Sequence, residues 1–190
     1  MTLAKSLTRV VLATAFLLLI PLVAMQFTHE VAWTLADFVV AGGLLVGAGL
    51  TYVLIARLAT TATYRVAVGV AVLAGLLLVW ANLAVGLVGS EHNPANLLYG
   101  GVLAVAAIGA LVARFRPAGM ARAMFGAALT YVVVTAIALV GWPPGAAAEP
   151  TVNLVPVLVA NAAFAALWAA SGWLFRRASA SSQHFGSQVA

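Results

Sequence analysis

The sequence predicts an all-α integral membrane protein, a six-helix bundle with both termini cytoplasmic. Three observations predict it. The 190 residues are 65% hydrophobic and 7% charged, with a mean hydropathy of +1.13. A soluble domain carries about 25% charged residues, so the solvent for most of this chain is lipid. Six apolar segments each approach or exceed the roughly 17 residues that cross the hydrocarbon core as a helix. The charges alternate between the links. Lys5, Arg9, Arg57, Arg65, Arg114, Arg116, Arg122, Arg176 and Arg177 fall in one set of gaps; Glu30, Asp37, Glu91 and Glu149 fall in or beside the other.

The spans read, in order, as about 10–25, 38–56, 66–88, 97–113, 123–141 and 154–175, within a single transmembrane domain over 1–177. Strands are excluded, because an open sheet leaves backbone groups unsatisfied in lipid. Lys5 and Arg9 before the first apolar run resemble a signal peptide. The Leu22-Val23-Ala24 region lacks the small residue three positions before a cleavage point, so the run is expected to stay as the first helix. Arg57–Arg65 links spans two and three. Arg114–Arg122 links spans four and five, with Pro117 and Gly119 as expected breakers. The short loops bring the chain under the positive-inside rule, which places these links, the N-terminus and the tail in the cytoplasm. The Ser- and Gln-rich residues 178–190 are expected to form a disordered cytoplasmic tail.

The opposite loops carry helix-start signals. Thr34-Leu35-Ala36-Asp37 has capping-box spacing. Asn93-Pro94 reads as an N-cap followed by proline at the first helical position, and Asn153 as a cap for the sixth span. Asn93-Pro94-Ala95 also matches a motif that aquaporins carry twice. Here it occurs once, in a gap too short for a re-entrant half-helix, and it reads as a cap. An echo at an offset of 57 residues pairs Arg57, Arg65 and Gly69 with Arg114, Arg122 and Gly126. It suggests that spans two and three repeat as spans four and five.

The residue types limit the chemistry. With no cysteine, disulfides, thiolate metal sites and cysteine nucleophiles are excluded. No Asp, Glu, Lys, Arg or His lies at the middle of a span, where proton pumps, ion-coupled carriers and voltage sensors place theirs. Haem held between helices needs axial ligands at that depth, and no cofactor is expected. The net charge of +5 sits beside apolar spans, so the expected partner is the lipid bilayer and not nucleic acid.

Four features remain. Gly43 and Gly47 form a GxxxG pair that lets helix backbones approach closely, either within the chain or against another membrane protein or a second copy. Asn82 and Asn161, with Trp80 and Trp168 nearby, are buried amides that need partners. They are expected to bond between helices, or else to line a ligand site. A pore would be lined by Asn82, Asn161, Thr51, Thr130, Thr135 and Tyr131. On the outer side, His29, Glu30, Asp37, Glu91, His92 and Asn93 form the most reactive cluster. Two histidines and two carboxylates suit a metal or acid–base work if the loops meet, but no HxH or HExxH spacing supports either, and neither a metal nor a catalytic residue is expected.

The stretches Phe27–Thr34, Asp37–Gly42, Asn82–Leu97 and Ala113–Arg122 together resemble a group of small polytopic bacterial inner-membrane proteins without an assigned activity. The outer-loop run Gly89-Ser90-Glu91-His92-Asn93-Pro94-Ala95-Asn96-Leu97 is the most specific part, and the resemblance covers roughly residues 25–140. It implies a location in the bacterial inner membrane. Members of that group carry Asp at the positions of His29 and His92, which implies that a histidine metal site is not a shared property. The expected role is a non-enzymatic accessory or interaction protein. A passive pore or small-molecule carrier, and an outward-facing metal or enzyme site, are the alternatives.

Overall fold

A computed structural model describes residues 3–59, 61–88, 92–142 and 154–186, the side chains of 182–186 excepted. Among these residues every regular element is a helix: α1 (Leu3–Phe27), α2 (Leu35–Ala56), α3 (Ala62–Ala84), α4 (Gly100–Val112) preceded by a 3₁₀ helix (Pro94–Tyr99), α5 (Pro117–Gly141) and α6 (Leu154–Gly186). With the 3₁₀ turn counted into the fourth span, six helices are long and apolar enough to cross a membrane. Their apolar side chains are not gathered inside. Phe16, Ile20, Val39, Leu129 and Ile137 are all exposed. A water-soluble monomer does not expose contiguous apolar surface on this scale, and the protein is a multi-pass membrane protein.

Several boundaries depart from the sequence reading. α3 starts and ends earlier than 66–88. Thr61 caps its start by accepting from the Tyr64 N–H. At its other end Gly86 adopts φ 72°, and its N–H returns to the Ala81 carbonyl at 3.0 Å. That left-handed conformation suits glycine, and it turns Leu87 and Val88 off the helix axis into buried positions. Pro117 is not a breaker but the first residue of α5, where its missing N–H removes no helical bond. The reversal falls instead at Ala113–Arg116. α6 does not end near 175, and residues 178–186 are helical rather than unstructured. Ala178 is buried there, and the Ser181 hydroxyl donates to the Arg177 and Ala178 carbonyls. The proposed caps Thr34 and Asn93 are in place, whereas Asn153 lies outside the described residues.

Where one domain was expected, the chain divides into two compact units, Met1–Arg57 and Leu58–Ala190. Spans two and three therefore belong to different units while four and five share one, and the 57-residue echo does not mark a repeated unit. The first unit is the antiparallel hairpin of α1 and α2. Its helices come close at Gly49, where an added Cβ would lie 2.6 Å from Val10 Cγ1, and at Gly42 beside Leu18. Gly43 and Gly47 meet nothing within 4 Å, so the GxxxG pair does not form the α1–α2 contact.

In the second unit α6 packs on both α3 and α5, and α5 packs on α4, with no comparable packing between α3 and α4. Small residues set these distances, as expected where lipid offers no hydrophobic drive. A Cβ on Gly109 of α4 would lie 2.7 Å from Ala123 Cβ of α5, and one on Gly172 of α6 would lie 3.1 Å from the Phe125 ring. One end is tied by Tyr64, whose hydroxyl donates to the Phe115 carbonyl at 2.6 Å and whose ring meets Phe175 edge-on at 5.0 Å. Arg65, Arg114, Arg116 and Arg176 flank these three residues in sequence, so the unit gathers arginines at this end. Arg177 lies 3.7 Å over the Trp173 ring, a cation–π contact suited to the membrane boundary.

Candidate functional site

The inward stripe of α6 runs Asn161, Phe164, Trp168, Ser171, Phe175 and Ala178, a helical spacing that puts one face against α3 and α5. Ser171 donates to the Ala67 carbonyl of α3 at 3.0 Å. Asn161, two turns into α6, carries the largest concentration of polar contacts. Its Oδ1 accepts from Tyr99 at 2.8 Å, Tyr131 at 3.0 Å and Thr135 at 3.1 Å. Its Nδ2 donates to the Leu87 carbonyl at 3.1 Å and the Val157 carbonyl at 2.8 Å. The amide orientation follows from these neighbours, since a flip would set oxygen against two carbonyls.

An amide oxygen has two lone pairs, yet three hydroxyls surround this one. The Tyr99 and Thr135 hydroxyls also lie 3.1 Å apart, so when Tyr131 and one of them occupy Asn161 the other can donate to its neighbour. All four side chains are buried, and the Tyr131 ring stacks on Phe164 at 5.8 Å. Within lipid, such bonds between helices contribute about 0.6 kcal/mol each, up to about 2.

A second amide organises the link that precedes α4. Asn96 Oδ1 accepts the Leu87 and Val88 N–H groups at 2.9 and 3.2 Å. Its backbone carbonyl accepts Asn82 Nδ2 at 3.1 Å. Asn93 caps the 3₁₀ turn through the Ala95 N–H at 3.0 Å. Irregular backbone beside membrane helices is tolerated only where protein satisfies it, and Asn96 and Asn161 together engage the Leu87 and Val88 N–H groups and the Leu87 carbonyl. These groups join residues 82–88 and 93–99 to α5 and α6 in one polar network.

Beside the network, between α3 and the start of α4, lies a recess of about 560 Å³. Leu78, Val79, Leu83, Leu97 and Leu103 form apolar walls, and Asn82, His92, Asn93, Asn96 and Tyr99 contribute polar atoms.

The ligand candidates thus separate. Asn82 reaches the recess and Asn161 the network. Trp168 is buried, its Nε1 finds no hydrogen-bond partner among the described residues, and neither it nor Trp80 lines the recess. Of the candidate pore residues, Asn161, Tyr131 and Thr135 converge, but on one another. Thr51 bonds back to the Gly47 carbonyl of its own helix at 2.8 Å.

The outer cluster divides as well. Asp37 belongs to a capping box, its Oδ2 accepting the Thr34 N–H at 2.7 Å and hydroxyl at 2.8 Å. His29 and Glu30 follow α1 in the hairpin unit, His92 and Asn93 belong to the other, and Glu91 lies outside the described residues. Among the described residues no group of three or more His, Cys, Asp or Glu could hold a metal ion.

Sequence reasoning missed Tyr99, Asn96, Tyr64 and Ser171. Asn96 and Tyr99 share the polar onset of the fourth span, three residues apart, and that spacing on one helical face is the only signal they offered. No protein-family model, curated protein or solved structure matches the chain.

Proposed function

We propose that the chain is a non-enzymatic accessory or interaction protein of the bacterial inner membrane, with both termini in the cytoplasm. The observation that carries this reading is the Asn161 network: the polar side chains inside the second unit hold helices together. A fixed set of buried neutral hydroxyls and amides suits a rigid scaffold. The alternation of basic and acidic links supports the orientation. The hairpin supplies the surface for association, because Gly43 and Gly47 lie off its own helix contact and small residues admit close approach by another membrane helix.

Crosslinking tests the reading. The chain has no cysteine, so Gly43→Cys or Gly47→Cys provides a single thiol in native membranes. A discrete crosslinked species, to another membrane protein or to a second copy, is expected from these positions and not from Tyr52→Cys, an exposed position on the opposite face of the same helix. Equal capture from all three positions, or none, together with recovery of the chain alone after mild detergent extraction, would contradict it.

A further inference from the structure

We propose that the recess between α3 and α4 binds an uncharged amphiphile, one with a hydroxyl or carbonyl head and an apolar tail, taken laterally from the surrounding lipid leaflet. Its volume of about 560 Å³ lies in the range of small-molecule sites, roughly 300–1,000 Å³. The walls are mostly leucine, with a minority of polar atoms from Asn82, Asn93, Asn96 and Tyr99, the composition that orients a ligand within an apolar pocket.

The polar groups have capacity left. Asn82 uses Nδ2 on the Asn96 carbonyl, and its Oδ1 carries no bond among the described residues. Asn93 uses Oδ1 on the Ala95 N–H, and its Nδ2 is likewise unengaged. One acceptor and one amide donor match a hydroxyl or a carbonyl, whereas an anionic headgroup would call for a cation. No Lys or Arg is among the described lining residues. Asn96 and Tyr99 form a back wall already fixed by the network, so little ordering is required on binding.

Access is lateral because α3 packs on α6 and α4 on α5 but the two pack only loosely on each other, Leu103 lying 3.5 Å from where a Cβ on Gly75 would stand. Leu83 and Leu97 line the recess and are 60% and 83% exposed, which gives an acyl chain a path along the surface. Gly100 also lines it, and a Cβ there meets nothing within 4 Å. A larger side chain at 100 can therefore fill the space without moving the backbone.

The test uses the full chain in lipid nanodiscs with a photoactivatable monoacylglycerol as probe. Label is expected on the segments 78–83 and 92–103, with competition by unlabelled monoacylglycerol and not by phosphatidate. Gly100→Phe should lower labelling at least about fivefold, equivalent to about 1 kcal/mol of binding. Gly101→Phe, the adjacent position outside the recess, should leave it unchanged. Leu97→Ser, a change at an exposed position that folding tolerates, should lower it as well. Labelling that survives Gly100→Phe and Leu97→Ser, or that spreads over all six spans, would overturn the site. Equal competition by phosphatidate would overturn the assignment of an uncharged head.

Discussion

Tyr64 donates its hydroxyl to the Phe115 carbonyl at 2.6 Å, across 51 residues of sequence. That bond joins the first turn of α3 to the reversal between α4 and α5. The reversal needs it, because Arg114 and Phe115 both adopt positive φ, 48° and 58°. Left-handed backbone at a non-glycine residue costs about 1–2 kcal/mol and persists only where the surroundings hold it. Tyr64→Phe is expected to lower stability by about 1 kcal/mol. It should also raise amide exchange at 113–116 without altering the rest of α5. Exchange measured in detergent micelles distinguishes this local loosening from a general loss of packing.

The same reversal is a Schellman motif. The Phe115 N–H returns to the Ala110 carbonyl at 3.1 Å and the Arg114 N–H to Leu111 at 2.9 Å. Arginine stands where glycine is usual. Arg114→Gly is expected to raise stability by about 0.5–1 kcal/mol, whereas Arg114→Val, β-branched at positive φ, should lower it. Unfolding midpoints of the two variants in one detergent should move in opposite directions.

Gly86 makes the corresponding turn after α3, at φ 72°. Gly86→Ala is expected to cost about 1 kcal/mol. Because the turn delivers Leu87 and Val88 to Asn96 and Asn161, the loss should appear as faster exchange of the Leu87 and Val88 amides.

Asn161 receives three hydroxyls and donates to two carbonyls. Asn161→Leu is expected to cost about 2–3 kcal/mol, and Tyr131→Phe or Thr135→Val about 0.5–1.5 each. The network also predicts non-additivity. Once Asn161→Leu is present, adding Tyr131→Phe should cost markedly less than it does alone, as a double-mutant cycle measures. Full additivity would mean the hydroxyls do not act through the amide.

The all-helical, multi-span architecture was legible because lipid leaves few options. Apolar run length and unsatisfied backbone together dictate helices. Local caps were legible for the same reason, since Thr34 and Asn93 act on amides within three residues. Asn161 could be named as an interhelical group from burial cost alone, but its partners could not. Tyr99, 62 residues away, gains its role only from the order in which helices pack. The end of α3 was misplaced because Val85, Leu87 and Val88 are as apolar as the helix before them. Only Gly86 marks the departure, and the buried link there is held by amides rather than by lipid-facing helix. The extension of α6 past Arg177 was hidden by a polar composition that helical alanines and serines tolerate.

The central claim is that polar groups within the second unit bind helices to each other and leave no aqueous path. Thr135→Cys tests it most directly. The change is nearly isosteric, the position is buried beside Asn161, and the thiol would be the only one in the chain. In proteoliposomes treated with a membrane-impermeant methanethiosulfonate, Thr135→Cys should remain unmodified over the time that saturates His29→Cys, at an exposed position. Modification of both at comparable rates would show water at the network and contradict the claim.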